Sequence, residues 1–376
     1  MKRLEWLDAL RGFTMLLVVT NHVYDMSFVT NPKYSMFMSL CLLFRMPLFF
    51  FISGFLAYRP TFTWQPGETA SLIGKKFRVQ VIPTLVFMTA FIALSRKPFW
   101  SFMETAWTNS LKAGYWFTLV LLEMFLIYYA VCYVAKRLGS PLPSSPKGEG
   151  NPPNSEQEKT NPLPPGGGWE GALLLVVWAI SLGAYITLYL PGITSWRLEL
   201  WARISSITEV ARYFQFFLLG NLCHRYWPQV QRLLDSPWFF PLMIAIAFIG
   251  AGDYLRWHNL RLYWANLPRT LAMYALVMII VAFFRHYKDW FTKQTRTGTA
   301  LQYIGVRTLD IYLLHYFYLP ILPGVGKWFK ANPHNFILEG TSALVFALLV
   351  VAFCLLTSHI LRVSPFLKKW LFGREN

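Results

Sequence analysis

The sequence predicts an all-α polytopic membrane protein with about ten transmembrane helices. Of the 376 residues, 55% are hydrophobic and only 14% are charged, and the mean hydropathy is +0.38. A soluble domain of this length needs a charged surface that such a composition cannot provide. The net charge of +17 does not indicate nucleic-acid binding, because Lys and Arg lie in short groups between apolar runs and not on one soluble face.

Ten apolar runs are long enough to cross the bilayer core, whose thickness of about 30 Å requires roughly 20 helical residues. They are residues 9–29, 36–58, 77–95, 115–135, 171–190, 208–224, 237–253, 268–286, 300–322 and 337–360. When these runs are threaded in alternation, the larger share of the 35 Lys and Arg residues falls on the side of the N-terminus. The positive-inside rule therefore predicts a multi-pass inner-membrane protein with both termini in the cytoplasm.

One polar segment divides these runs. Residues 139–168 are rich in Pro, Gly, Ser and Asn and hold too few apolar side chains to form a core. The sequence therefore predicts a disordered cytoplasmic linker at 139–168, between a first half at 1–138 with four spans and a second half at 169–376 with six. The four Cys residues lie within apolar runs without metal-ligand spacing, so neither a metal site nor a disulfide framework is predicted.

The first apolar run carries three ionisable residues on one helix face. Asp8, Arg11, Met15, Val18 and His22 are spaced three or four residues apart, which places them along one side of a helix. Asp8 and Arg11 are able to pair across one turn. Eleven residues, or about 16 Å of helical rise, separate Arg11 from His22. An ionisable residue at mid-membrane depth has either a functional role or a structural one between helices, and position alone leaves both open.

Two motifs near the start of the chain are similar to a known family. Residues 7–22, LDALRGFTMLLVVTNH, and residues 45–56, RMPLFFFISGFL, resemble the opening of the integral-membrane acyltransferase 3 family, which includes polysaccharide O-acetyltransferases. Further similarity lies at 75–83, 114–125, 212–225 and 304–320. The resemblance implies ten core helices and transfer of an acyl group, commonly acetyl, from cytosolic acyl-CoA to a carbohydrate hydroxyl. Acyl-CoA is then a donor substrate, and no permanently bound cofactor is implied.

The resemblance assigns roles to the three ionisable residues of the first run. His22 matches the essential histidine of the family, Arg11 the essential arginine and Asp8 the acidic residue of its first motif. A neutral imidazole is able to take the proton of a sugar hydroxyl as that hydroxyl attacks a thioester, so His22 is the predicted general base. Arg11 is predicted to stabilise negative charge on the thioester oxygen or on the CoA phosphates.

Further candidates are predicted to bind the two substrates. For the acceptor they are Arg45, Ser53, Trp116, Tyr312 and His315, and for the CoA phosphates Lys75, Lys76 and Arg78. Helix packing or the membrane interface is the structural alternative for the first group, and positive-inside topology is the alternative for the second. Ser53 as a nucleophile lacks a G-x-S-x-G elbow and an acidic partner. Direct transfer is therefore favoured, and an acyl-histidine step stays open.

Two other classes of protein also place polar residues inside a helical bundle. A transporter or flippase for a glycan or small molecule does so at broken helices, and a non-catalytic scaffold is able to share the fold. The concentration of Asp8, Arg11 and His22 on one helix favours the enzyme. The predicted partners are the acyl-CoA donor, a glycan acceptor and membrane lipid, with a separate periplasmic or glycan-assembly partner left open.

Overall fold

The computed structural model describes residues 4–31, 35–139, 169–188, 203–254, 266–332 and 335–372. Within these ranges the regular elements are helices. Apart from Gly139, the predicted linker at 139–168 lies outside the described residues. The disorder of that segment and the division of the chain into two halves therefore stay predictions.

The part of the chain before the predicted linker forms helices joined by short turns. Their bounds are Glu5–His22 for α1, Met36–Ala57 for α2, Pro66–Lys76 for α3, Ile82–Leu94 for α4, Phe99–Thr108 for α5 and Trp116–Gly139 for α6. A π-helical turn at Val23–Ser27 extends α1, and another at Phe77–Val81 joins α3 to α4. The Ser35 hydroxyl caps α2 by accepting a hydrogen bond from the Met38 amide at 3.4 Å.

The rest of the chain continues in the same way. The helix bounds are Trp169–Leu188 for α7, Ile207–Arg225 for α8, Trp227–Leu234 for α9, Phe239–Tyr254 for α10, Asn266–His286 for α11, Arg296–Val306 for α12, Thr308–Tyr318 for α13, Pro323–Ala331 for α14, Phe336–Leu361 for α15 and Pro365–Phe372 for α16. Most of the predicted runs therefore contain a helix close to the expected position.

Six helical segments of the described chain are long and apolar enough to cross a membrane. They are α2, the joined helices α3 and α4, α6, α7, α11 and α15, and the pair α9–α10, bent by 83°, adds a seventh if it is one span. The helices α1 and α8 overlap the predicted runs 9–29 and 208–224 but carry more polar side chains. The multi-pass membrane architecture is confirmed, whereas the total of ten spans stays a prediction.

The prediction of one continuous span at 300–322 is wrong. Arg307, with φ −114° and ψ 19°, leaves the helical region and separates α12 from α13. After Tyr318 the backbone is extended at Leu319, as is typical of a residue before proline. A consequence of the break is that α13 begins with Thr308, whose side chain contacts α1.

Paired glycines let two helix crossings approach to backbone contact. At the crossing of α1 and α12, a Cβ on Gly12 would lie 2.0 Å from the Leu301 carbonyl oxygen, and one on Gly305 would lie 1.9 Å from the Asp8 carbonyl oxygen. At the crossing of α2 and α8, a Cβ on Gly54 would lie 1.8 Å from the Phe217 carbonyl oxygen. Small residues permit such close contact in membrane bundles. These crossings hold α1 and α2 inside the bundle.

Candidate active site

A cavity of about 870 Å³, here named the His22 cavity, lies beside the C-terminal end of α1. It is formed by α1, α2, α8, α11, α13 and the segment that precedes α6. Its acidic and basic side chains are His22, Asp25, Arg45, Glu209, Arg212 and Arg269, and its aromatic side chains are Trp116, Tyr213 and Tyr316. A volume of this size is typical of a small-molecule site.

A second cavity of about 240 Å³, here named the Arg11 cavity, lies nearer the start of α1. Its polar side chains include Arg11, Ser53, Lys76, Gln80, Thr118 and Tyr312. Among the described residues, none lines both cavities. The face of α1 that carries Arg11 and His22 therefore connects two separate spaces.

His22 is held between two side chains of α13. Its ring centroid lies 5.1 Å from that of His315 and 5.3 Å from that of Tyr316. The Tyr316 hydroxyl lies 3.1 Å from the Gly114 carbonyl oxygen and 3.5 Å from His22 Nε2. Because that hydroxyl has one proton, which it donates to the nearer carbonyl, it accepts from Nε2–H of His22. In a neutral ring this leaves the lone pair on Nδ1, a buried atom without a hydrogen-bond partner in the described chain.

His315 was predicted to bind the acceptor, but the structure places it behind His22. Its side chain is 0% exposed and lines neither cavity. His315 Nδ1 donates to the Tyr312 carbonyl oxygen at 2.7 Å, and its Nε2 has no hydrogen-bond partner among the described residues. His315 therefore contacts the predicted base from outside both cavities, and its role in acceptor binding stays a prediction.

A strained segment of backbone separates the two cavities. Lys112, Ala113 and Gly114 have positive φ angles of 47°, 51° and 97°, which is costly for the two residues with side chains. The Gly114 carbonyl oxygen accepts hydrogen bonds from Tyr312 at 3.0 Å and from Tyr316 at 3.1 Å. We name this arrangement of one carbonyl and two hydroxyls the tyrosine seam.

The Lys112 side chain stabilises the strained segment through hydrogen bonds. Its ammonium group donates to three carbonyl oxygens, those of Trp107 at 3.0 Å, Asn109 at 3.1 Å and Arg203 at 2.8 Å. Burial lowers the pKa of Lys112, and the Glu123 carboxylate partly offsets this effect. These three hydrogen bonds are able to fix the backbone so that the Gly114 carbonyl oxygen lies within reach of both tyrosine hydroxyls.

Arginines and aromatic rings form the wall of the His22 cavity opposite α1. Arg212 lies 3.8 Å from the Glu209 carboxylate. Arg45 Nε and Nη1 are buried and make no hydrogen bond within the described chain. Trp116 stacks on Tyr213 with ring centroids 5.9 Å apart. Flat aromatic surfaces beside hydrogen-bond donors are suited to a sugar ring.

The Arg11 cavity collects the cationic candidates nearer the start of α1. The Arg11 guanidinium lies 3.8 Å from Asp8, as the spacing predicted, and donates to the Thr308 hydroxyl at 3.1 Å. The Lys76 ammonium lies 3.7 Å above the ring centroid of Phe125. Ser53 donates to the Phe49 carbonyl oxygen at 2.9 Å and lines this cavity alone. A Ser53–His22 nucleophile and base is therefore not formed.

The predicted site residues fall into three groups. The His22 cavity contains His22, Arg45 and Trp116, and the Arg11 cavity contains Arg11, Ser53, Lys76 and Tyr312. Outside both cavities, Asp8 is buried beside Arg11 and His315 beside His22, whereas Lys75 and Arg78 are exposed at the end of α3 and in the turn after it. Sequence reasoning missed Tyr316, Arg212 and Arg269. For Tyr316 a signal existed, since it lies one helical turn after Tyr312.

Comparison with known families decides what kind of protein contains these cavities. The family model described as an acyltransferase domain, that of the acyltransferase 3 family, matches residues 4–359. The chain belongs to the acyltransferase 3 family. The match covers both cavities and nearly the whole chain, so this acyltransferase 3 protein is a multi-pass membrane acyltransferase. No curated protein and no solved structure matches the chain.

Proposed function

We propose that this acyltransferase moves an acyl group, with acetyl as the first candidate, from acyl-CoA to a hydroxyl of a carbohydrate or cell-surface glycan. The observation that carries the proposal is the His22 imidazole at the wall of the 870 Å³ cavity, with Nε2 against the Tyr316 hydroxyl and Nδ1 unpaired in the described chain. A neutral imidazole at the wall of a space for a ligand is what a general base requires.

The Arg11 cavity is the proposed donor side. Arg11 and Lys76 provide cations for CoA phosphates or for the polar pantetheine arm, and the exposed Lys75 and Arg78 lie near enough in sequence to extend this surface. Arg11 lies about 16 Å along α1 from His22, so we assign it to the donor and not to the thioester oxygen. With both termini in the cytoplasm of the inner membrane, this cavity faces the cytosol.

The proposed reaction is a direct transfer. The acceptor hydroxyl gives its proton to the His22 imidazole, and its oxygen forms a bond to the thioester carbonyl carbon. The carbon–sulfur bond then breaks, and the imidazolium returns the proton to the CoA thiolate. The products are an O-acyl sugar and CoA. For the thioester to reach His22, the tyrosine seam must open, because the two cavities share no lining residue among those described.

The first test is acyl transfer by membranes that carry either the wild type or His22→Gln at matched protein levels. Labelled acetyl-CoA is the donor, and glycans extracted from the host cells are the acceptor. His359→Gln is the matched control, because His359 is exposed in the last turn of α15. We expect the His22 variant to lose at least about 100-fold of the rate, whereas the control retains it. Equal labelling by both variants would contradict the mechanism and favour a transporter.

A further inference from the structure

We propose that a substrate carries an anionic group, a carboxylate or a phosphate, into the His22 cavity, and that Arg45 binds this group. The inference rests on the proposed function of the cavity as the acceptor and transfer site. Two sources supply the same chemistry: an acidic sugar acceptor, or a dicarboxylic acyl group on the donor. The inference thus concerns the charge of the substrate that is acylated or transferred.

Arg45 is placed where a permanent charge is expensive. It lies in the middle part of the 22-residue helix α2, which is apolar enough to span the membrane. A charged side chain at this depth destabilises the protein unless another group compensates the charge. Such residues face a cavity, an ion path or a ligand, and Arg45 lines the 870 Å³ His22 cavity.

The described chain compensates this charge only in part, since the Asp25 carboxylate in the same cavity interacts electrostatically with Arg45 but forms no ion pair with it. Arg45 Nε and Nη1 are buried without a hydrogen-bond acceptor, and none of the ion pairs among the described residues includes Arg45. Unpaired buried donors on a charged group are among the costliest polar atoms in a protein. A sugar hydroxyl would accept hydrogen bonds from these nitrogens, but only an anion also neutralises the guanidinium.

The charges around the cavity also favour a negatively charged ligand. Three guanidinium groups line it, those of Arg45, Arg212 and Arg269, and two carboxylates, those of Asp25 and Glu209. Glu209 lies 3.8 Å from Arg212. With His22 neutral, the wall keeps an excess positive charge. In a water-poor space within the membrane, an excess charge of this kind attracts an anion more strongly than it does in bulk water.

The same wall places the anion near the reacting atoms. His22, Arg45 and Trp116 line one cavity, so a sugar ring against Trp116 and Tyr213 is able to present a hydroxyl to His22 and an acidic substituent to Arg45. A dicarboxylic acyl group would instead place its thioester carbon near His22 and its distal carboxylate at Arg45. Both arrangements use the same guanidinium.

The test compares donors and acceptors that differ in one charge. Membranes with the wild type, Arg45→Gln or Arg45→Lys receive labelled acetyl-CoA or succinyl-CoA. The acceptors are methyl glucoside, methyl glucuronoside and methyl glucoside 6-phosphate. Arg296→Gln is the matched control, since Arg296 is an exposed arginine at the start of α12. We expect the wild type to prefer an anionic substrate about tenfold in kcat/KM, and Arg45→Gln to lose that preference. Arg45→Lys should keep part of it.

The donor and acceptor comparisons distinguish the two possible sources of the anionic group. A preference for the acidic sugars that only Arg45→Gln removes assigns the anion to the acceptor. A preference for succinyl-CoA that the same variant removes assigns it to the donor. If the wild type acylates neutral and acidic acceptors equally and uses both donors equally, the inference is overturned while the proposed function stands.

A binding measurement decides the case in which the wild type transfers nothing to any acceptor. That outcome would reject the proposed function, but the anion site remains testable by thermal unfolding of the purified protein in detergent. Methyl glucuronoside, methyl glucoside 6-phosphate and succinate are then compared with methyl glucoside. Stabilisation by an anion in the wild type and in Arg296→Gln, but not in Arg45→Gln, supports the inference. Equal stabilisation of all variants, or none of any, overturns it.

Discussion

One hydroxyl group, that of Tyr316, determines which nitrogen of a neutral His22 ring carries the proton. Its single proton goes to the Gly114 carbonyl oxygen, so it meets His22 Nε2 as an acceptor. In His315 the other ring nitrogen is the donor: Nδ1 donates to the Tyr312 carbonyl oxygen, and in a neutral ring Nε2 has the lone pair. The two imidazole rings lie side by side, with ring centroids 5.1 Å apart.

We predict that Tyr316→Phe lowers kcat for acyl transfer about 10- to 100-fold, with little change in KM for the donor. The substitution removes the acceptor for Nε2–H, so both tautomers of His22 become populated and the base loses its fixed orientation. Rates measured across pH should show a shifted or broadened acidic limb. Tyr303→Phe, on an exposed tyrosine of α12, should behave as the wild type, and an unchanged Tyr316→Phe enzyme would reject the assigned tautomer.

Among the helices, the two glycine crossings fix the elements that carry the site. α1 presents Arg11 and His22, and α2 presents Arg45 and Ser53. Each helix is held against a partner at a distance that only glycine permits. Side chains from α8 and α13 reach the cavities because of this close packing, which transmits any change of helix spacing directly to the site.

We predict that Gly54→Ala destabilises the protein by about 1–3 kcal/mol, because the new methyl group would lie 1.8 Å from the Phe217 carbonyl oxygen and the helices must move apart. Thermal unfolding in detergent measures this change. Gly74→Ala is the control, since no described atom lies within 4 Å of a Cβ at that position. If Gly54→Ala unfolds at the wild-type temperature, the crossing is looser than described.

The elements that could be predicted from the sequence are those with a uniform signal. The runs 36–58 and 337–360 correspond to Met36–Ala57 and Phe336–Leu361, because length and hydropathy alone define such helices. The Asp8–Arg11 pair followed from spacing within one helix. Tyr316 contacts His22 across 294 positions, and spacing within a helix does not reveal which helices pack together. Arg212 and Arg269 join the site from α8 and α11 for the same reason.

For the whole molecule, the two cavities lie toward opposite ends of α1. Leu56, which lines the Arg11 cavity, is 48% exposed, and Met26, which lines the His22 cavity, is 43% exposed. The four native cysteines are buried. Because the native thiols are buried, a cysteine introduced at an exposed position of either cavity is able to report the orientation of the protein in the membrane by thiol labelling.

We predict that Leu56→Cys reacts with a membrane-impermeant maleimide from the cytoplasmic side and Met26→Cys from the opposite side. The measurement uses sealed vesicles of both orientations, with the wild-type protein as the unlabelled control. Labelling of both variants from one side would reject the proposed topology, in which the donor arrives from the cytosol and the acceptor from the other face.

The tyrosine seam also has a consequence for the energy supply of the cell. Two spaces that enter a membrane from opposite faces become a proton leak if water joins them. One carbonyl oxygen, that of Gly114, keeps Tyr312 and Tyr316 across the gap between these spaces. If donor and acceptor arrive from opposite faces as proposed, the closed seam conserves the ion gradient across the bilayer between one acyl transfer and the next.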